Sequence, residues 1–366
     1  MTTIPNSITK APSLLAILFF VFTTCCVAQN IKTIFNGKDL NGWTVVINGA
    51  PVNSDPENYV TVHDGVIHMY ENTPDSKAVK FGYLRTYDSS YSNYCLTLEY
   101  RWLSKKFAPR KQQPKDTGVL YHVNGKDSVW PASIEYQIQE GDTGDLIFLQ
   151  SGGLTYRPPA GYESPVGQGA PYLLPEFGGR LLRTKRGYNG RLPQYDSIAS
   201  WNKVEIIVHN KNYSEHIVNG KTIVRTGQFV HMNDSVLEKG AIALQLEGAE
   251  IQYRNIIVEL LDEPLEASQN IMEFNSAIHR RTITIKNPGH ETKLLTVEKY
   301  GLDANDFSVK TKLPEQLKSK ESIEIEILCE PGLPDKTRSA GIRFGSKKDG
   351  VFITLHQNIQ ELNINK

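Results

Sequence analysis

Five polar side chains on strand-like runs could do chemistry together: His122, Glu135, Gln137, Gln245 and Arg254. Side chains alternate between the two faces of a strand. In residues 116–123, alternation puts Asp116, Gly118, Leu120 and His122 on one face. In 133–139 it puts Ser133, Glu135, Gln137 and Gln139 on one face, and Ile134, Tyr136 and Ile138 on the other. Gln245 shares a face with Ala243 and Glu247, and Arg254 with Gln252. If these polar faces adjoin, a histidine and a carboxylate can act as general base and acid. Gln and Arg can donate to an oxygen that gains charge. His122 and Glu135 are therefore the catalytic candidates, with Gln137, Gln245 and Arg254 as binding groups. An ordinary reading stands beside this one. A polar residue on a strand's solvent face is the default of amphipathic patterning, and Glu135 with Arg254 could be a cross-strand ion pair.

Other residues extend the candidate set. Residues 151–200 hold 9 Gly, 6 Pro and 5 Tyr, with few runs that read as strands. A loop of that length inside a domain is usually functional. Its tyrosines (156, 162, 172, 188, 195) and arginines (157, 180, 183, 186, 191) suit a lid over a sugar, with Tyr156 and Arg157 as substrate-binding candidates. Trp130, before Pro131, is a candidate platform. Glu140, Asp142 and Asp145 could supply oxygen ligands for a calcium-type ion, although acidic turns are usually just solvated. No other cofactor is expected. Neither a CxxC pair nor an HExxH motif occurs, which argues against zinc. His63 and His68 flank a turn and read as surface groups.

These residues need elements to position them. The 366-residue length suggests two or three domains. Lys+Arg and Asp+Glu are 40 each, so net charge gives no reason to expect a nucleic-acid partner. Residues 14–22 are unbroken apolar after Lys10, and small residues lead to Ala28, which reads as a secretory signal peptide over 1–28. The alternative of a lipoprotein cysteine at Cys25 or Cys26 fits the preceding Phe22, Thr23 and Thr24 poorly. The apolar run is too short to span a membrane. The expected location is thus outside the cytoplasm: periplasmic, or extracellular at the cell envelope. Cys95 and Cys329 then remain, too few for a disulfide framework. Strand-like runs fill 31–262, with hairpin turns at Asp64-Gly65 and Asn219-Gly220. No amphipathic helix is evident. The expected fold is all-β, an antiparallel sandwich over 31–262. Residues 263–270 read as a linker, 271–358 as an immunoglobulin-like sandwich, and 359–366 as a tail. The sequence leaves the oligomeric state open.

Several motifs occur in order: 35–43 (FNGKDLNGW), Leu84-Arg85-Thr86 with 94–102 (YCLTLEYRW), Asp116-Thr117-Gly118-Val119, Glu135-Tyr136-Gln137-Ile138 with Gly144-Asp145, Trp201-Asn202, Asn219-Gly220, Gln245-Leu246-Glu247-Gly248 and Tyr253-Arg254-Asn255-Ile256. On these, residues 31–262 resemble the 3-keto-disaccharide hydrolase domain family. The resemblance implies a concanavalin A-like jelly roll and cleavage of a glycosidic bond in a 3-keto disaccharide or related glycoside. Residues 283–289 (ITIKNPG) and 306–309 (DFSV) are similar to bacterial immunoglobulin-like modules, which carry no chemistry. In a 3-keto sugar the ketone acidifies the hydrogen on C2. A base removes it, the group at C1 leaves, and water can add back. His122 or Glu135 could be the base, and Arg254, Gln137 or a cation could hold the enolate. Ordinary glycoside hydrolysis needs two facing carboxylates, for which Glu135 with Glu247 or Glu99 is a pair to test. The alternative is a glycan-binding protein of the cell envelope without catalysis, since fold does not fix function.

Overall fold

The computed structural model describes residues 30–158, 170–190, 195–198, 200–331 and 337–358, with side chains at 170, 171 and 186–190 excepted. The proposed signal peptide, its two cysteines, Tyr162, Arg191 and the tail lie outside the described residues, as do the side chains of Arg186 and Tyr188.

Sixteen strands build the larger sandwich: β1 Ile31–Thr33, β2 Trp43–Ile47, β3 Val60–His63, β4 Val66–Met69, β5 Gly82–Thr86, β6 Asn93–Lys106, β7 Asp116–Asn124, β8 Ala132–Gln139, β9 Leu146–Arg157, β10 Ala170–Pro171, β11 Arg180–Gly190, β12 Asn202–His209, β13 Tyr213–Val218, β14 Lys221–His231, β15 Ala241–Leu246 and β16 Ala249–Leu260. The first layer runs β2-β5-β15-β7-β8-β9-β14, and the second continues β14-β13-β12-β6-β16-β4-β3. The strand β14 belongs to both: Thr226 pairs with Ser214 of β13, and Gly227 pairs with Leu154 of β9. A Cβ at Gly227 would lie 2.1 Å from the Asn212 carbonyl, so the corner needs glycine there. Both expected hairpins form, with positive φ at Asp64, Gly65, Asn219 and Gly220.

The two layers share one apolar core. Val119, Tyr121, Ile134, Tyr136, Ile138, Leu244 and Leu246 come from the first layer, and Leu96, Leu98, Tyr100, Val204, Ile206 and Tyr253 from the second. This is the antiparallel sandwich that period-2 patterning implies, with the jelly-roll fold that the family resemblance implies. One difference concerns residues 151–200. They contribute two paired arms, β9 and β11, with Arg180 opposite Arg157 and Leu182 opposite Thr155. Residues 180–183 of β11 are all exposed, so this stretch has no buried face and no alternation to read.

Ten further strands follow: β17 Glu266–Ala267, β18 Ile271–Phe274, β19 Arg280–Lys286, β20 Lys293–Leu294, β21 Val297–Tyr300, β22 Phe307–Val309, β23 Gln316–Leu317, β24 Ser322–Cys329, β25 Arg338–Phe344 and β26 Val351–Gln357. Two four-stranded sheets, β17-β19-β24-β22 and β18-β26-β25-β21, enclose a separate core that includes Phe274, Ile285, Phe307, Ile325, Ile342 and Leu355. Cys95 and Cys329 are both buried and unbridged. At the seam with the larger sandwich, Arg343 of β25 lies 2.6 Å from Glu215 of β13.

Candidate functional site

Core packing commits one face of the first layer, so the other face carries its polar side chains. Tyr83 pairs with Gln245, and Gly118 with Gln137. Ala243 and Glu135 flank Leu120 from either side. Asp116 begins β7 opposite Gln139, and Glu247 follows the end of β15. Unlike most solvent faces, this one is covered. Glu135, Gln137 and Glu247 keep 3%, 4% and 5% of their surface, and Gln245 none.

Gly118 makes the cluster possible. A Cβ there would lie 2.4 Å from both Glu135 Oε1 and Gln245 Oε1. These side chains therefore converge over the bare glycine backbone. We expect Gly118→Ala to fold, because the obstructing atoms (Gln245 Oε1 and Glu135 Oε1 and Cγ) belong to side chains rather than backbone, while displacing Glu135. Its circular dichroism should match wild type, and if the face is catalytic its turnover should fall at least tenfold. Unchanged turnover in this variant would remove Glu135 from the machinery.

Arg110 closes the site from the segment after β6. Its guanidinium pairs with Asp116 and lies 3.6 Å from Glu247 Oε2. It also lies 5.6 Å from the Phe81 ring centroid, and Phe81 is 6.2 Å from Trp130. Two carboxyl groups thus face one guanidinium, which also acts electrostatically on Glu135. Burial, then the Glu247 charge, raise the Glu135 pKa well above its ordinary value, with Gln245 and Arg110 opposing. Burial pushes Glu247 up to about 7 against the pull of Arg110. Burial thus favours the protonated form of both carboxyls, and perturbed carboxyl pairs of this kind are candidates for acid and base roles. Asp116 Oδ1, Gln137 Oε1 and both amide atoms of Gln245 have no partner at hydrogen-bond geometry among the described residues.

The structure brings together Glu135, Gln137 and Gln245, with Trp130 at the margin. It does not bring His122 or Arg254. The register shifts between Tyr121 and Asn124, and His122 has φ +54°. This bulge turns the imidazole inward, against Tyr121 and Phe229, where Nε2 lies 3.0 Å from the Asn210 carbonyl. Burial lowers its pKa to about 4. Arg254 stands on the second layer, 2.6 Å from Glu99 and stacked 3.9 Å from the Trp201 centroid. Its expected partnership with Glu135 is therefore replaced by one with Glu99. Tyr156 lines a 440 Å³ cleft at the seam between the two sandwiches, with Arg225 and Phe352. Arg157 follows it at the end of β9, opposite Arg180. Glu140 binds Lys115, through the backbone N–H at 2.9 Å and the ammonium at 3.3 Å. Glu140, Asp142 and Asp145 do not gather their oxygens into one ligand cluster among the described residues.

Sequence patterning does not reveal Arg110, which lies in no motif. Asp116 and Glu247 are visible in motifs, but their convergence is not.

A two-layer antiparallel β-sandwich with buried carboxyl and amide groups on one outer sheet face defines a jelly-roll protein. The chain belongs to the family described as the 3-keto-alpha-glucoside-1,2-lyase-like domain, matched over residues 30–259. No curated protein matches it. Among solved structures, a Bacillus subtilis protein of unknown function with a galectin-like fold is 14% identical at TM-score 0.35, over 63% of this chain and 94% of its own. A structure reported with endo-acting O-glycanases of the human gut microbiota is 11% identical at TM-score 0.36, over 63% of this chain and 98% of its own. The E. coli chaperone DraB is 20% identical at TM-score 0.23, over 26% of this chain, which spans 55% of the chaperone. No helix among the described residues is long and apolar enough to cross a membrane.

Proposed function

We propose that this chain is an exported enzyme that breaks the glycosidic bond of a 3-keto disaccharide or related glycoside by elimination. Where water adds back, the net result is hydrolysis. The observation that carries this reading is the pair of buried carboxyl groups, Glu135 and Glu247, gathered beside Arg110 under two buried amides, Gln137 and Gln245.

In this reading the Glu247 carboxylate takes the proton from C2. The C2–H electron pair forms the enolate, whose oxygen at C3 is held by Arg110 and the amides of Gln137 and Gln245. The enolate collapses to a C1–C2 double bond as the C1–O bond breaks. Glu135 supplies its proton to the departing oxygen. Glu247 has then gained a proton and Glu135 has lost one, and adding water in reverse resets the pair. The orphaned buried amide atoms suit a ligand rich in hydroxyls. Phe81 and Trp130 offer aromatic faces for a sugar ring.

The experiment is turnover of a 3-keto disaccharide beside its unoxidised parent. We expect release of the leaving sugar from the keto substrate alone. Saturable binding of either sugar with no product from either would overturn the enzymatic reading in favour of glycan binding.

A further inference from the structure

The hairpin of β3 and β4 gathers a second chemical cluster on the other layer. His63 Nε2 lies 3.0 Å from the Glu71 carboxylate, and His68 Nδ1 lies 3.5 Å from it. One ligand atom from each of the three residues falls within 4.8 Å of the other two. Two atoms bound to a tetrahedral zinc at 2.0–2.1 Å sit about 3.3 Å apart. Two of the three separations therefore already bracket that spacing.

The groups behind these ligands complete the pattern. Metal-bound histidines usually present their other nitrogen to a carboxylate or carbonyl, which fixes the tautomer. Here both do. His63 Nδ1 lies 3.2 Å from Asp64, and His68 Nε2 lies 3.1 Å from Glu250. A proton on each of those nitrogens leaves His63 Nε2 and His68 Nδ1 as free electron pairs. The Thr61 hydroxyl donates to Glu71 at 2.6 Å and holds that carboxylate in place. His68 and Glu250 are buried, while His63 is half-exposed and leaves an approach from solvent. Two neighbours compete with a metal. The Gln252 amide donates to His68 Nδ1 at 3.2 Å, and Lys105 Nζ stands 3.9 Å from Glu250. Binding replaces the Gln252 contact, and the Glu71 and Glu250 charges outweigh the single ammonium.

We propose that His63, His68 and Glu71 form a binding site for a zinc-like divalent cation, with Asp64 and Glu250 as its outer carboxylates. Two imidazoles and one carboxylate suit zinc rather than calcium, which takes oxygen ligands. The proposal does not depend on the carboxylate site or its reaction.

The test is calorimetric titration of tag-free, chelator-stripped protein with Zn²⁺ alone. We expect one ion per chain. His63→Ala and His68→Ala should each weaken binding more than tenfold, and Glu250→Gln by about 10- to 100-fold. No Zn²⁺ binding by wild type overturns the proposal, as does undiminished affinity in either histidine variant. Should His68→Ala fail to fold, the half-exposed His63→Ala decides alone.

Discussion

Glu247→Gln should lower kcat on a 3-keto disaccharide by about 10²- to 10⁴-fold, the range for loss of a positioned general base. Glu135→Gln should lose a similar factor where the leaving group needs a proton, and less where it does not. The pH profile separates the two roles. Base catalysis by Glu247 requires the carboxylate, so kcat/KM should rise through about pH 7 as that group ionises. Acid catalysis requires neutral Glu135, so activity should fall again at higher pH. Because the groups interact, the two limbs belong to the pair. Removing the Glu247 charge takes away one cause of the raised Glu135 pKa, so the alkaline limb should move down in Glu247→Gln. A stability measurement adds an independent readout. A carboxyl whose folded pKa is raised contributes stability that is complete below its unfolded pKa of 4.5 and is lost as pH rises through about 7. Wild type should therefore lose stability over that window relative to Glu247→Gln. A wild-type kcat/KM flat between about pH 5 and 9 would exclude this assignment.

Parts of this site are legible in the sequence. Residues 133–139 alternate cleanly because Ile134, Tyr136 and Ile138 fill the core, which sets Glu135 and Gln137 on the opposite face as a matched pair. Residues 241–246 place Gln245 for the same reason. Alternation misplaces His122 because one bulge inverts every face beyond it, and no glycine or proline announces the shift. It misplaces Arg254 because it assigns a face within a strand but not the layer to which the strand belongs. Arg110 is delivered by a non-repeating segment, for which pattern says nothing. His68 reads as a surface group beside a turn, yet Gln252 pairs with it and Glu250 lies 3.1 Å from it, so the neighbouring strand buries it. Short-range spacing also hides the metal-type cluster, since its ligands come from two strands of a hairpin and the residues beyond, rather than from one helical motif.

Glu215→Ala should destabilise the protein by about 3–5 kcal/mol at pH 7, because it leaves buried guanidinium groups without their carboxylate. Glu215 of β13 is fully buried and lies 2.6 Å from Arg343 of β25 and 3.8 Å from Arg225 of β14. Arg225 keeps a second partner in Glu176 and stacks 4.2 Å from the Phe352 centroid, so Arg343 is the group most exposed to the loss. Burial alone would raise the Glu215 pKa, but Arg225 and Arg343, aided by Thr222 and Tyr213, outweigh it and bring the pKa down to about 2. A carboxylate with a depressed pKa contributes stability that is present above its unfolded value of 4.5 and lost as pH falls through about 2. The difference between wild type and Glu215→Gln in chemical denaturation should therefore be largest at neutral pH and shrink as pH falls from 4.5 towards about 2. Such a pair need not be the most stable filling for the seam. Burying two charges costs several kcal/mol each, and a matched apolar pair often does as well. Glu215→Leu combined with Arg343→Met should thus recover much of the single-variant loss. What the ions supply is a defined register, since an apolar patch tolerates sliding whereas a guanidinium at 2.6 Å from one carboxylate does not. A single-variant loss below about 1 kcal/mol at pH 7 would show that the seam is held by its apolar contacts instead.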